Sequence, residues 1–383
     1  MSAPDEREAP ALKLTVDLGA LVANWRAMAE RSRAARASAV VKADAYGLGI
    51  GPVAEALYHA GCRDFFTATV AEGRAVRALA PDARIFVLNG LYPGIERTFR
   101  RAGLVPVLAS CEQVALWSAH CAQDGPHPCA LHVDTGMNRL GLTPDQAIGL
   151  ANGASRPSGF EPVLVMSHLA CADEPTHPMN RRQLTLFQRV REAFSGIESS
   201  LCNSAGIFLG GDYLADLTRP GIALYGAEAV SGTPNPMRSV ATAESRILQV
   251  RAAPAGSSVS YGAAETLSRD SRIAICAVGY GDGYPRSHSG AGVPLRDTDC
   301  PAPHGFIAGQ IVPVLGRVTM DLTMFDVTDA PEGAVRAGDF IELFGPNMPV
   351  DAVARAAGTI GYEILTSLGQ RYSREYSRPR PDQ

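Results

Sequence analysis

The feature that most limits what this chain can fold into is a rhythm in its first two thirds, where short apolar runs of strand length alternate with amphipathic stretches of helical period. Up to about residue 225 the runs are "ASAVVKA", "FFTATV", "RIFVLNG", "LVPVLAS", "CALHVDT", "PVLVMSH", "SSLCNSA" and "LTRPGIALYG". Between them lie helical patterns such as Gly51 to Ala60, Ala71 to Leu79 and Gln183 to Phe194. Eight continuously apolar strands with helical crossovers predict an N-terminal (β/α)8 barrel of the TIM type, so the fold class is α/β. After about Ala243 the texture changes to short strands with Gly and Pro turns, among them "SRIAICAVGYGDGYP", "GQIVPVLGRVTMDLTMFDVTD" and "GDFIELFG". A C-terminal, mainly β domain is expected there, closed by a helix over Asp351 to Ser367 and a basic, frayed end. The expected division is a disordered tail at 1–11, a cofactor-binding barrel at 12–243 and the β domain at 244–383.

Composition narrows the function. The 383 residues are 46% hydrophobic and 19% charged with a formal net charge of -4, and no basic stripe runs along the chain. That balance argues against nucleic acid as a partner. No segment reaches the roughly 18 consecutive apolar residues of a membrane span. The start, "MSAPDEREAP", lacks the apolar core of a signal peptide, which leads to the expectation of a cytoplasmic protein. The eight cysteines contain no C-x-x-C pair, so reduced and mostly buried thiols are expected.

In such barrels the chemistry sits at the C-terminal ends of the strands. Lys42 ends the first run, in "VVKADAYGLG". A lysine there is ordinarily a solvated side chain snorkelling off the surface beneath it. Its company changes the reading. Arg139 follows the fifth run, His168 ends the sixth, Asn203 and Ser204 end the seventh, and Arg219 ends the eighth. All would converge on one mouth. Ser204 and the backbone amides after Pro220 can donate to phosphate oxygens, and a desolvated lysine amine condenses with an aldehyde. A phosphate-bearing aldehyde fits that set, which describes pyridoxal 5'-phosphate. His168 with Cys171 and Asp173 superficially suggests a metal, but no second ligand pair completes a tetrahedron, so no metal is expected. "GYGDGY" is not followed by a helical pattern and fails as a dinucleotide loop.

These residues lie in motifs that resemble alanine racemase, of the barrel-plus-β-domain class of pyridoxal-phosphate enzymes. The likeness runs through "VVKADAYGLG", "DTGMNRLG", "SHLACADE", "NSA", "RPGIALYG", "VSYG", "VGYGDGYPR", "GRVTMD" and "GYEILTSLGQR", in the family's order and over nearly the whole chain. It implies that Lys42 holds the cofactor covalently, with Tyr46, Ser204, Gly221, Ile222 and Tyr362 around its phosphate. Arg139 would bond the phenolic oxygen, Arg219 would face the pyridine nitrogen, and His168 would link Arg219 to Tyr261. Because a guanidinium only donates, that nitrogen would stay unprotonated, which weakens the electron sink and favours reprotonation over transamination. Racemisation needs proton transfer on both faces of Cα. The resemblance assigns the two faces to Lys42 and Tyr261, the latter reaching the other subunit of a homodimer with shared sites, and gives the substrate carboxylate to Arg139 and the Met320 backbone amide. Alanine is the implied substrate, and the supply of D-alanine for cell-wall peptidoglycan the implied role, although a catabolic role uses the same chemistry. The chain departs from many relatives at His132, where they carry a lysine, and at Thr319, where they carry cysteine. A decarboxylase on the same scaffold would want an acid where Arg219 stands, a metal-assisted lyase would want a C-terminal His and Cys pair, and a bare cofactor carrier would need no Tyr261.

Overall fold

The computed structural model describes residues 9–153, 157–292 and 302–377. Most of the expected 1–11 tail lies outside the described residues. Packing divides the chain into a unit of residues 21–238 and a second that joins residues 1–20 to 239–383.

The first unit is the expected barrel. Its parallel strands run in chain order from Ala39–Val40 through Asp64–Thr67, Arg84–Val87, Val105–Leu108, Cys129–His132 and Pro162–Met166 to Glu198–Ser200. Closure is made by the eighth run. Leu217–Thr218 pairs in parallel with Arg36–Ala37, and its flanks take backbone bonds from the seventh strand's side, Asp216 N to Ser199 O and Arg219 N to Cys202 O, both 3.0 Å. These strands are buried on both faces because helices cover the outside, which is why they read as continuous apolar runs. The interior is filled by side chains such as Phe66 and Phe86, both fully buried, with their rings stacked at 4.7 Å. The helical patterns also hold, as Ile50–His59, Val70–Leu79 and Pro178–Ala193.

The second unit is an eight-stranded sheet in which Ala241–Ala253 is the longest strand. It pairs with Ser271–Cys276 and with Phe340–Phe344, so six strands close on themselves. Three sequence expectations change here. Leu12–Asp17 was assigned to the barrel, but it pairs antiparallel with Ala241–Ser245 and parallel with Tyr372–Ser377, so the chain's first strand belongs to the β unit. Its alternating burial is the period-2 pattern of a strand with one wet face, unlike the barrel runs. Tyr372–Ser377, at the start of the expected frayed end, is a strand, and residues 378–383 lie outside the described residues. The single expected closing helix is two, Val350–Ala357 and Gly361–Thr366. Gly358 at φ +70° stops the first, with Gly358 N bonded to Arg355 O and Thr359 N to Ala354 O. Of the seven described cysteines, five are buried, while Cys300 lies outside the described residues. Among the described residues no helix is long and apolar enough to cross a membrane.

Candidate active site

Beyond the first barrel strand the backbone turns in the left-handed sense. Ala43, Asp44, Ala45 and Tyr46 all have φ between +53° and +57°. Left-handed helical geometry costs L-residues about 1–2 kcal/mol each, so this turn stores on the order of 4–8 kcal/mol that its surroundings must offset. Its bonds are Gly47 N to Ala43 O at 2.8 Å, Gly49 N to Asp44 O at 2.9 Å, Ile50 N to Asp44 Oδ1 at 2.7 Å and Ala43 N to Glu72 Oε1 at 2.7 Å. Lys42 opens the turn and is largely enclosed. Burial first, then the charges of Arg139 and Arg219, depress its pKa, while Glu72 opposes them. Desolvation near two cations is the environment that frees a lysine amine to act as nucleophile or base at neutral pH.

Arg219, at the end of the eighth strand, is 3% exposed. Its Nη1 donates to Ser200 Oγ, and its Nη2 donates to Ser167 O at 2.6 Å, to Leu201 O at 3.3 Å and to His168 Nδ1 at 3.3 Å. All four acceptors are neutral. Burial without a carboxylate partner pulls the guanidinium pKa down to about 10. Since arginine only donates, His168 Nδ1 must accept, and the neutral ring carries its proton on Nε2. Burial, then Arg219, Arg139, His132 and Lys42, keep the His168 pKa well below the ordinary imidazole value. His168 is therefore a neutral relay with one free N–H.

His132, at the end of the fifth strand, is held down to a pKa of about 4 by burial and by Arg219 and Arg139. In the unfolded chain the value returns to about 6.5. A depressed folded pKa means the stabilising contribution is present above the unfolded value and is lost as pH falls toward the folded one. Between pH 7 and pH 5 that loss amounts to about 2 kcal/mol for one such imidazole. His132→Gln should remove this portion of the acid sensitivity, which urea unfolding of both proteins at the two pH values would measure. Equal slopes would contradict the assignment.

Ser204 Oγ accepts from Gly221 N at 2.8 Å and from Ala223 N at 3.3 Å, leaving its own proton to donate outward. Gly221 has no room for a side chain, because a Cβ there would overlap the Tyr46 hydroxyl oxygen. Tyr46 is buried and stacks on Tyr225 at 4.5 Å, and the Tyr225 hydroxyl bonds Val40 O at 2.9 Å. Ile222 is buried at the head of the short turn Ile222–Tyr225. The outward-donating Ser204 hydroxyl, set between the Gly221 turn and the buried Tyr46, makes a cradle suited to an anionic ester. Asn203 Oδ1 accepts from Gly206 N at 2.9 Å and caps the turn that carries Ser204. Arg139 is exposed, on a tight turn in which Asp134 Oδ1 takes the amides of Gly136 at 2.7 Å and Met137 at 2.9 Å.

The remaining expected site residues belong to the second unit. Tyr261 follows Ser260 (φ +69°), whose Oγ donates to Arg317 O at 2.8 Å, and its side chain is 72% exposed beside an open cavity of about 700 Å³ lined by Ile273, Ile275, Leu322 and Met324. Met320 is exposed, and its carbonyl accepts from Gly281 N at 2.9 Å. Asp321 beside it ion-pairs with Arg371 at 2.7 Å. Tyr362 is partly exposed on the helix Gly361–Thr366. Sequence reading missed Ser200, Ser167 and Glu72. The only signal for Ser200 was a hydroxyl in a strand with both faces buried, where a polar group needs a partner, and Ser167 gave none because Arg219 meets its backbone carbonyl.

Within the barrel, a desolvated lysine, an anion cradle and a buried arginine with no carboxylate partner suit an enzyme that works on a bound carbonyl compound. Known proteins agree. The description "Alanine racemase, N-terminal domain" matches residues 16–229 and "Alanine racemase, C-terminal domain" matches residues 240–376. The chain is 63% identical over 372 residues to "Alanine racemase, biosynthetic" of Agrobacterium fabrum, covering 97% of this chain and 95% of that one. It is 61% identical over 364 residues to an alanine racemase of Rhizobium meliloti, covering 95% and 96%. A crystal structure of alanine racemase from Bartonella henselae with covalently bound pyridoxal phosphate superposes with a TM-score of 0.88 at 36% identity, covering 96% of this chain and 99% of that one. The chain belongs to the alanine racemase family.

Proposed function

We propose that this chain interconverts L- and D-alanine with pyridoxal 5'-phosphate, using Lys42 and Tyr261 as proton-transfer groups on opposite faces of the substrate, and that it works as a homodimer with shared sites. The observation that carries the reading is the Lys42 amine, left more readily unprotonated by burial and by two arginines, at the rim that also holds the Ser204 and Gly221 cradle. The cradle fits the phosphate, and Lys42 fits the aldehyde. When bound, the cofactor withdraws electrons from the substrate's Cα and so acidifies its hydrogen.

The residues divide the remaining work. Lys42 takes or gives the Cα proton on one face, and the Tyr261 hydroxyl does the same on the other. Tyr261 is exposed and sits in the second unit, which suits a group that must reach a ligand held elsewhere. Arg219, which only donates, offers the pyridine nitrogen no proton acceptor and so restrains electron withdrawal, which keeps the reaction at Cα. A decarboxylase would want an acid at that place. His168, neutral with its Nε2 proton free, can pass a hydrogen bond on toward Tyr261. Arg139 and the Met320 amide receive the substrate carboxylate, with Tyr362 completing the phosphate site. The name of the Agrobacterium relative supports a biosynthetic role, the supply of D-alanine for peptidoglycan in the cytoplasm.

The test is a panel of L-amino acids offered to the reconstituted protein, with the enantiomers separated chromatographically. Alanine should be racemised with the highest kcat/KM. Equal turnover of bulky side chains, or release of carbon dioxide in place of D-alanine, would overturn the assignment.

A further inference from the structure

We propose that Glu72 is a positioning residue for Lys42, fastening the left-handed turn that directs the amine out of the strand end. The inference rests on the reading of Lys42 as the cofactor-bearing base. Glu72 lies in the first turn of the helix Val70–Leu79, after the second barrel strand. Its carboxylate accepts three backbone amides from two segments. Oε2 takes Ala68 N at 2.8 Å and Thr69 N at 3.1 Å, and Oε1 takes Ala43 N at 2.7 Å. The bond to Thr69 N is the ordinary work of a capping box, completed by Thr69 Oγ1 accepting from Glu72 N at 3.3 Å, and the bond to Ala68 N extends it by one residue.

The third bond has no part in capping. Ala43 N belongs to the peptide plane that contains the Lys42 carbonyl carbon, so holding that amide fixes ψ of Lys42 and the start of a turn whose next four residues are all left-handed. Without an external tie, the turn's conformational cost would favour relaxation toward ordinary backbone, and the lysine Cα–Cβ bond would swing with it. Charge points the same way. The groups that bear on the amine are Arg139 after the fifth strand, Arg219 at the end of the eighth, and Glu72 as the opposing anion.

The test compares E72A with T69A in the holoenzyme. Thr69→Ala removes the other half of the capping box and leaves the bond to Ala43, so the pair separates helix capping from lysine placement. E72A should lower kcat for L-alanine by about 10²-fold, the scale of an ångström's misplacement of a catalytic group. It should also move the midpoint of the bound chromophore's pH titration to lower pH, because the anion that favours the protonated nitrogen is gone. T69A should leave kcat within about twofold of wild type and the midpoint unmoved, whatever it does to the melting temperature. If E72A does not fold, E72Q, which keeps the volume and one acceptor, should show at least a roughly tenfold loss of kcat with the same shift. Equal kcat in the Glu72 and Thr69 variants, or an unmoved midpoint, overturns the role of Glu72. Borohydride trapping keeps the two questions apart: label on a residue other than Lys42 overturns the reading of Lys42 itself, and label on Lys42 with unchanged kcat in E72A overturns Glu72 alone.

Discussion

Lys42→Ala should lower racemisation of L-alanine by at least the roughly 10²–10⁴-fold that a positioned general base contributes, and it should end covalent attachment of the cofactor. The phosphate cradle does not depend on the lysine, since Ser204, the Gly221 and Ala223 amides and Tyr46 are held by one another and by Tyr225. The variant should therefore still bind pyridoxal phosphate, but reversibly, with the chromophore lost on gel filtration. Its stability should be unchanged or higher, because burial and two neighbouring arginines already disfavour the charged ammonium. Loss of activity together with a lowered melting temperature and no binding would indicate a structural lysine.

Arg219→Glu should have a comparably large effect of a different kind. The arginine's neighbours are two carbonyls, a hydroxyl and an imidazole nitrogen, a set of acceptors that a carboxylate would meet with repulsion. An acid facing the pyridine nitrogen would favour its protonation and strengthen the electron sink. Racemisation should fall by about 10²-fold or more, the usual consequence of removing a preorganised donor, while pyruvate from transamination rises relative to D-alanine. Arg219→Gln, which keeps a neutral donor, separates this electronic effect from any loss of stability. If neither variant changes the ratio of pyruvate to D-alanine, Arg219 does not govern the reaction's course.

Much of the barrel could be read from the chain because strands buried on both faces leave long apolar runs, and their polar ends then mark the mouth. Lys42, His168, Ser204 and Arg219 were legible for that reason. The first strand was not, since "LKLTVD" alternates as a strand with one wet face does, and its partners lie more than 200 residues away. The left-handed turn after Lys42 was not legible either. Gly47 and Gly49 advertise positive φ, but nothing in Ala43, Asp44, Ala45 or Tyr46 does, because the tie that holds them comes from Glu72 on another segment. The bonds of Arg219 to Ser200 and Ser167 were hidden similarly, as hydroxyl and carbonyl partners brought together only by barrel closure.

The central claim is that each site draws Lys42 from one chain and Tyr261 from the other. It is tested most directly by a mixed dimer of Lys42→Ala and Tyr261→Phe chains, co-expressed with different tags and purified through both. Each homodimer lacks one of the two proton-transfer groups at both sites and should be severely impaired. In the mixed dimer the intact lysine of one chain meets the intact tyrosine of the other at one site, and the second site lacks both. A two-fold dimer then has one working site of two, so racemisation of L-alanine should return to about half the wild-type value per dimer. A mixed dimer as inactive as its parents would contradict the shared site.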